Sequence, residues 1–240
     1  MHAEIGWMLR ELPPPVDVTR RFLDIHSKEC RAPPVPVRVV PGIFTALYPA
    51  YLRRIRRALN AREIKVDTKH GDLRENAARI RDAVLREPVP VVLLGQSKGP
   101  LDINAALVLH PEIIPKVRAF VSVQAPFGGT PLARPRSRLF EMSYARRQAF
   151  LREHGPVPQV PTVALATWTA RAGLFLEKTR RFIEAPSDGF VPLADAHIPG
   201  AKLVVLEGID HASLALRWLR PFGEYEPGRV VRALIALALE

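Results

Sequence analysis

The chain has 240 residues, 48% of them apolar, enough to bury a substantial core within one compact domain. No run approaches the eighteen or so uninterrupted apolar residues of a membrane helix, and MHAEIGWMLRELPPPVDV, with Glu4 and Glu11 and no apolar centre, does not read as a secretory signal. The net charge of +11 is spread along the chain, with local groups at Arg53, Arg54, Arg56, Arg57 and at Arg134, Arg136, Arg138, so it reads as a solvated face without a nucleic-acid partner.

Pro-rich punctuation divides the sequence into alternating elements. Residues 1–35 hold two short helical candidates separated by Pro13, Pro14 and Pro15. Val35–Val40 reads as a strand stopped by Pro41–Gly42, and residues 48–60 as a helix with Tyr51, Leu52, Ile55 and Leu59 on its apolar side. Ile64–Val66 is a second short strand. Asp72–Glu87 is a helix, capped by Asp72 with Glu75 three residues on. Val89–Leu94 is the continuous apolar run of a strand buried on both faces. A helix at Leu101–His110 and a strand at Ala119–Val123 follow.

From Gly128 to about Gln159 the alternation lapses into a basic, partly helical insertion. It resumes with a strand at Thr162–Ala166, a helix around Leu174–Glu184, a strand at Lys202–Leu206 and a helix at Gly228–Leu239. Strand–helix alternation of this kind implies an α/β fold with a mostly parallel central sheet of about six strands, flanked by helices on both sides. The expectation is a single domain over residues 1–240, with the insertion at about 129–160.

Chemistry concentrates in VVLLGQSKG, residues 91–99, which places Gly95, Ser97 and Gly99 in a G-x-S-x-G pattern. Five residues alone arise too readily by chance to carry weight. Their setting carries it: a buried strand runs into the pattern and a helix leaves it. A sharp turn there would lift the serine Oγ above the sheet edge, and side chains two before and two after would collide with neighbouring backbone. Pro100 falls in the first helical turn, where a missing N–H does no harm.

A nucleophilic serine needs a base, and the base needs an orienting acid. His211, in GIDHASL, lies just past the strand Lys202–Leu206, where open α/β sheets bind ligands. His197 is the second candidate base. SDGFVP, residues 187–192, offers Asp188 as the acid, with Asp195 as substitute. The structural alternative for Asp188 is an Asx turn. Asp210, adjacent to the histidine in sequence, is a poor orienter because neighbouring side chains point apart. Backbone donors for an oxyanion would be the N–H of Lys98 and, beyond Pro41–Gly42, that of Ile43 or Phe44.

PGIF, GQSKG, SDGFVP and IDHASL, in that order, resemble the α/β-hydrolase superfamily, particularly its bacterial lipase-like esterases, from about residue 36 to the C-terminus. VRAFVSVQAPFGGTPLA, residues 117–133, adds to the likeness. The resemblance implies carboxylic-ester hydrolysis by Ser97, Asp188 and His211, with the insertion near 129–160 as a lid. Lipases commonly have His where Gln96 stands, and many have His-Gly where Pro41–Gly42 stands. Secreted lipases also carry a leader that is not evident here. With Cys30 the single cysteine, a cytoplasmic location is expected. No metal or organic cofactor is implied, since no H-E-x-x-H, paired C-x-x-C, G-x-G-x-x-G or Walker pattern occurs. The expected partner is a small-molecule or lipid-like ester, with transient contact to a lipid surface. Alternatives are a non-catalytic hydrolase-fold binding protein, and a thioesterase, peptidase or polyester depolymerase using the same residues.

Overall fold

Alternate residues of the central strands are apolar toward opposite sides, and this fixes the layering of the molecule. In Val91–Gln96, Val91 and Leu93 join one apolar cluster while Val92 and Leu94 join the other. Thr162–Trp168 does the same with Ala164 and Ala166 against Val163 and Leu165. A sheet apolar on both faces must be covered on both. The computed structural model describes residues 13–28, 33–43, 49–68, 72–134, 137, 139–155, 160–212 and 225–240.

Among these residues a seven-stranded, wholly parallel sheet forms the centre. Its strands are β1 (Val16–Asp17), β2 (Val37–Val40), β3 (Arg62–Glu63), β4 (Val91–Gln96), β5 (Val117–Val123), β6 (Thr162–Trp168) and β7 (Lys202–Glu207). They lie in the order β1-β7-β6-β5-β4-β2-β3. The helices are α1 (Thr19–Ser27), α2 (Pro49–Leu59), α3 (Leu73–Leu85), α4 (Gly99–Leu109), α5 (Tyr144–His154), α6 (Leu174–Arg180) and α7 (Pro227–Leu239). Residues of α3, α4 and α5 join one apolar cluster, and residues of α1, α2 and α7 join the other.

The sequence reading of an α/β fold with a largely parallel, doubly covered sheet holds, with seven strands in place of about six. The additional strand, β1, pairs Val16 with Lys202 and Asp17 with Leu203. Two half-polar residues at a sheet edge have no apolar periodicity to announce them. The second expected strand lies at Arg62–Glu63 rather than Ile64–Val66, although the Ile64 N–H still bonds the Val39 carbonyl at 2.9 Å. The strand expected at Val89 begins at Val91, because Val89 is exposed. The helix expected at Leu101 starts two residues earlier, at Gly99, and the one expected to reach Glu184 ends at Arg180. The helical candidate before Pro13 lies outside the described residues.

Register brings the chemistry to one rim. Val40 pairs with Gly95 and Gly95 with Ser122, so the carboxyl ends of β2, β4 and β5 stand level. The loops carrying Gly42, Ser97 and Gln124 therefore leave the sheet side by side.

Phe120, fully buried in β5, fills the centre of one apolar layer. Replacing it with alanine should cost about 3–5 kcal/mol and lower the melting temperature by roughly 6–20 °C in a chain of this size. A thermal melt that moves by less than about 2 °C would show that this layer is not the stabilising core.

Candidate active site

Ser97 follows directly on β4 and takes φ of +58°, a left-handed conformation that residues with a Cβ disfavour by about 1–2 kcal/mol. Close contacts at the flanking glycines explain how the turn is closed. A Cβ added to Gly95 would come within 2.6 Å of the Pro100 nitrogen, and one on Gly99 within 2.3 Å of the Val40 carbonyl oxygen. The turn is also tied to the neighbouring strand, since the Ser97 N–H donates to the Val123 carbonyl at 2.9 Å.

The three side chains singled out by their motifs meet at this rim. His211 Nε2 lies 3.0 Å from Ser97 Oγ, and His211 Nδ1 lies 2.8 Å from Asp188 Oδ2. All three residues are buried, at 6%, 9% and 1% exposure in the order Ser97, His211, Asp188. The Asp188 carboxylate divides its work. Oδ1 accepts the N–H groups of Phe190 and Val191 at 2.9 and 2.7 Å, while Oδ2 faces the imidazole. Asx turn and imidazole partner, set as alternatives by sequence, are both present on separate oxygens. The His211 N–H also donates to the Asp188 carbonyl at 2.8 Å, and Phe190 stacks on the imidazole with centroids 4.9 Å apart.

The competing candidates are engaged elsewhere. Asp195 accepts the Tyr144 hydroxyl at 3.0 Å, and burial next to this carboxylate pushes the phenol well up from its usual range. Asp210 accepts the N–H groups of Gly173 and Ala212 at 2.9 and 3.1 Å, bracing the loop rather than the imidazole. Burial lowers the His197 pKa, holding its ring toward the neutral form, and neither Ser97 nor Asp188 is a hydrogen-bond partner of it among the described residues.

The loop after β2 reaches the serine from the other side. A Cβ on Gly42 would lie 2.8 Å from the Gln96 carbonyl oxygen and 2.9 Å from Ser97 Cβ, so only glycine permits this approach. Ile43 follows it and is buried, whereas Phe44 lies outside the described residues. Lys98 stands at the N-cap of α4, and its side chain turns inward to Asp102, with Nζ 2.5 Å from Oδ1 and both residues almost wholly buried. Sequence reasoning missed this pair, although the i,i+4 spacing was its signal. It also missed Arg147 of α5, fully buried between the rings of Phe127 and Phe150 and donating to the Phe127 carbonyl at 2.9 Å.

No protein-family model and no curated protein matches the chain. Solved structures do. A metagenomic carboxyl esterase superposes with a TM-score of 0.75 at 23% identity, covering 87% of this chain and 77% of that one. The mature lipase of Bacillus licheniformis gives 0.66 at 16% identity, covering 87% and 94%. The lipase of Staphylococcus hyicus gives 0.64 at 10% identity, covering 88% and 97%.

Desolvation pushes the Asp102 carboxyl up to about 6, against the opposing pull of Lys98. A raised carboxyl pKa means the folded chain holds the proton more tightly than the unfolded one. This group's contribution is then greatest in acid and is lost as pH rises through about 6. The double variant Lys98→Met/Asp102→Leu, which removes both buried charges, should raise the melting temperature by roughly 2–6 °C at pH 8 and by less at pH 5. Equal shifts at the two pH values, followed by calorimetry, would contradict this reading of the pair. At the level of architecture, the chain has an α/β-hydrolase fold of the kind found in bacterial esterases and lipases.

Proposed function

We propose that the chain is a serine hydrolase that cleaves carboxylic esters through an acyl-enzyme, with Ser97 as nucleophile, His211 as base and Asp188 as orienting acid. One observation carries the reading. An unbroken line of contacts, 3.0 and 2.8 Å long, runs from a serine hydroxyl through both nitrogens of an imidazole to a buried carboxylate. Serine is a weak nucleophile until a base takes its proton; the 3.0 Å contact is the route for that proton, and the 2.8 Å contact orients the base. The fold shared with esterases and lipases supports the ester as the acyl donor.

In this mechanism neutral His211 accepts the Ser97 proton through Nε2 as Oγ attacks the ester carbonyl. Asp188, held by two backbone N–H groups on its other oxygen, keeps the remaining proton on Nδ1 and stabilises the imidazolium that forms. The N–H groups of Lys98 and Ile43 receive the oxyanion, each worth about 10²–10³ in rate. His211 then protonates the departing alcohol. Water, deprotonated by the same imidazole, releases the acid and restores Ser97. The described residues of the 129–160 segment form part of the same domain and cover the acyl pocket. The burial of Met142, Arg147, Phe150 and Leu151 supports a cover packed against the body.

Mass spectrometry after treatment with a fluorophosphonate tests the reading against a non-catalytic binding protein. One adduct on Ser97 is expected, with none in Ser97→Ala, and hydrolysis of p-nitrophenyl esters should fall at least about 10⁴-fold in that variant. An unlabelled wild-type chain would overturn the proposal. Within it, an acyl pocket of the lipase kind predicts turnover of esters beyond the shortest chains. Hydrolysis confined to acetate and propionate esters would count against such a pocket.

A further inference from the structure

Strand β5 is followed directly by Gln124, a buried residue to which the proposed chemistry gives no role. Its backbone takes φ of +50°, a left-handed conformation at a residue with a Cβ that it shares with Ser97 and with Asn60. Such conformations persist only where surrounding contacts enforce them, and they gather at functional sites. The enforcing contacts are specific. The Gln124 N–H donates to the Leu165 carbonyl of β6 at 2.9 Å. Its side-chain Nε2 donates to Thr167 Oγ1, also of β6, at 2.7 Å and to the Asp210 carbonyl at 3.0 Å.

Two consecutive residues at the end of β5 thus hold the two halves of the candidate site. The Val123 carbonyl receives the N–H of Ser97, and the Gln124 amide grips the carbonyl of the residue immediately before His211. We propose that Gln124 is a positioning residue that fixes the separation of Ser97 and His211, by anchoring the peptide preceding the imidazole to β6 while its neighbour anchors the serine to β5. The proposal rests on the serine-hydrolase reading above. It gives Asp210 a part as well. The Asp210 side chain pins the same loop to the Gly173 N–H at the start of α6 through Oδ2, at 2.9 Å. The histidine peptide is therefore held from both sides, by the Gln124 amide donating to the Asp210 carbonyl and by the Gly173 N–H donating to the Asp210 carboxylate. Rigid support of this kind matters because displacing a reacting group by about 1 Å can cost on the order of 100-fold in rate.

Kinetics of four variants test the assignment. Gln124→Met keeps length and apolar contacts but removes both side-chain bonds. Gln124→Gly removes them while relieving the left-handed backbone. Thr167→Val removes one acceptor, and Thr167→Ser retains it. The expected result is a kcat lowered about tenfold or more in both Gln124 variants, with KM within about twofold and fluorophosphonate labelling of Ser97 slowed in parallel. Thr167→Val should fall between them and wild type, and Thr167→Ser should match wild type. A merely structural role would lower the melting temperature and leave kcat of the folded variant intact, and that result overturns the proposal. Should Gln124→Met fail to fold, Gln124→Gly and Thr167→Val decide by the same readouts. A wild-type chain that takes no label sinks the hydrolase reading itself, whereas labelled wild type with equally reactive Gln124 variants sinks this inference alone.

Discussion

A backbone turn that a side chain disfavours stands at the centre of this molecule, and much of the sheet's carboxyl rim is arranged to keep it. Ser97, at φ of +58°, is held by the packing of β4 into α4, where neither Gly95 nor Gly99 leaves room for a methyl group. The loop after β2 closes over it through Gly42, and the end of β5 takes its N–H. The strain is small beside the energy of the two apolar layers that clamp the sheet. Its consequence is geometric: the hydroxyl stands clear of the backbone, facing the loop that follows β7. Were the turn to relax, the serine would become an ordinary residue at a strand end.

Polar groups at this rim are buried, which sets how they must be partnered. An unpaired buried charge or dipole costs several kcal/mol, so most of these groups are partnered, with Ser122 Oγ and Gln124 Oε1 as exceptions at this rim among the described residues. Asp188 illustrates the economy of a carboxylate with two oxygens, one holding its own turn and the other holding an imidazole. Lys98 and Asp102 illustrate a harder case. A buried ion pair seldom adds net stability, and desolvation has pushed the aspartate carboxyl up to about 6. The pair begins at the residue after the serine, Lys98, whose backbone N–H is proposed to meet the oxyanion. On the other side of the rim, the Gln124 amide and the Asp210 carboxylate hold the histidine loop without touching its ring.

Much of this was legible in the residues. The both-sided apolar character of Val91–Leu94 and the strand–helix rhythm pointed to the covered parallel sheet, and the glycine spacing around Ser97 pointed to the turn. His211 could be ranked above its rivals because its motif lies just past a strand, and Asp188 because SDGFVP puts it in an Asp-Gly turn one loop upstream of that histidine. What escaped shares one physical character: it depends on partners far apart in sequence. β1 is two residues long and exists through its pairing with β7, 186 residues away in the case of Val16 and Lys202. Arg147 reads as one of several insertion arginines until α5 buries it against Phe127. Gln124 is a lone polar residue after an apolar strand, and nothing local says that Asp210 will come within reach. The onset of β4 shifted from Val89 to Val91 for a related reason, since exposure at a strand's start is set by what packs there.

The central claim is that these loops were brought together to hold a tetrahedral oxyanion on Ser97. A crystal structure of the chain after reaction with diethyl p-nitrophenyl phosphate, which gives up p-nitrophenolate as Ser97 Oγ bonds to phosphorus, tests it most directly, because that adduct mimics the tetrahedral intermediate. The account predicts phosphorus bonded to Ser97 Oγ, His211 Nε2 beside the leaving-group side, and one phosphoryl oxygen about 2.7–3.1 Å from the backbone nitrogens of both Lys98 and Ile43. An adduct whose phosphoryl oxygen points away from both nitrogens, or forms on another residue, would contradict it.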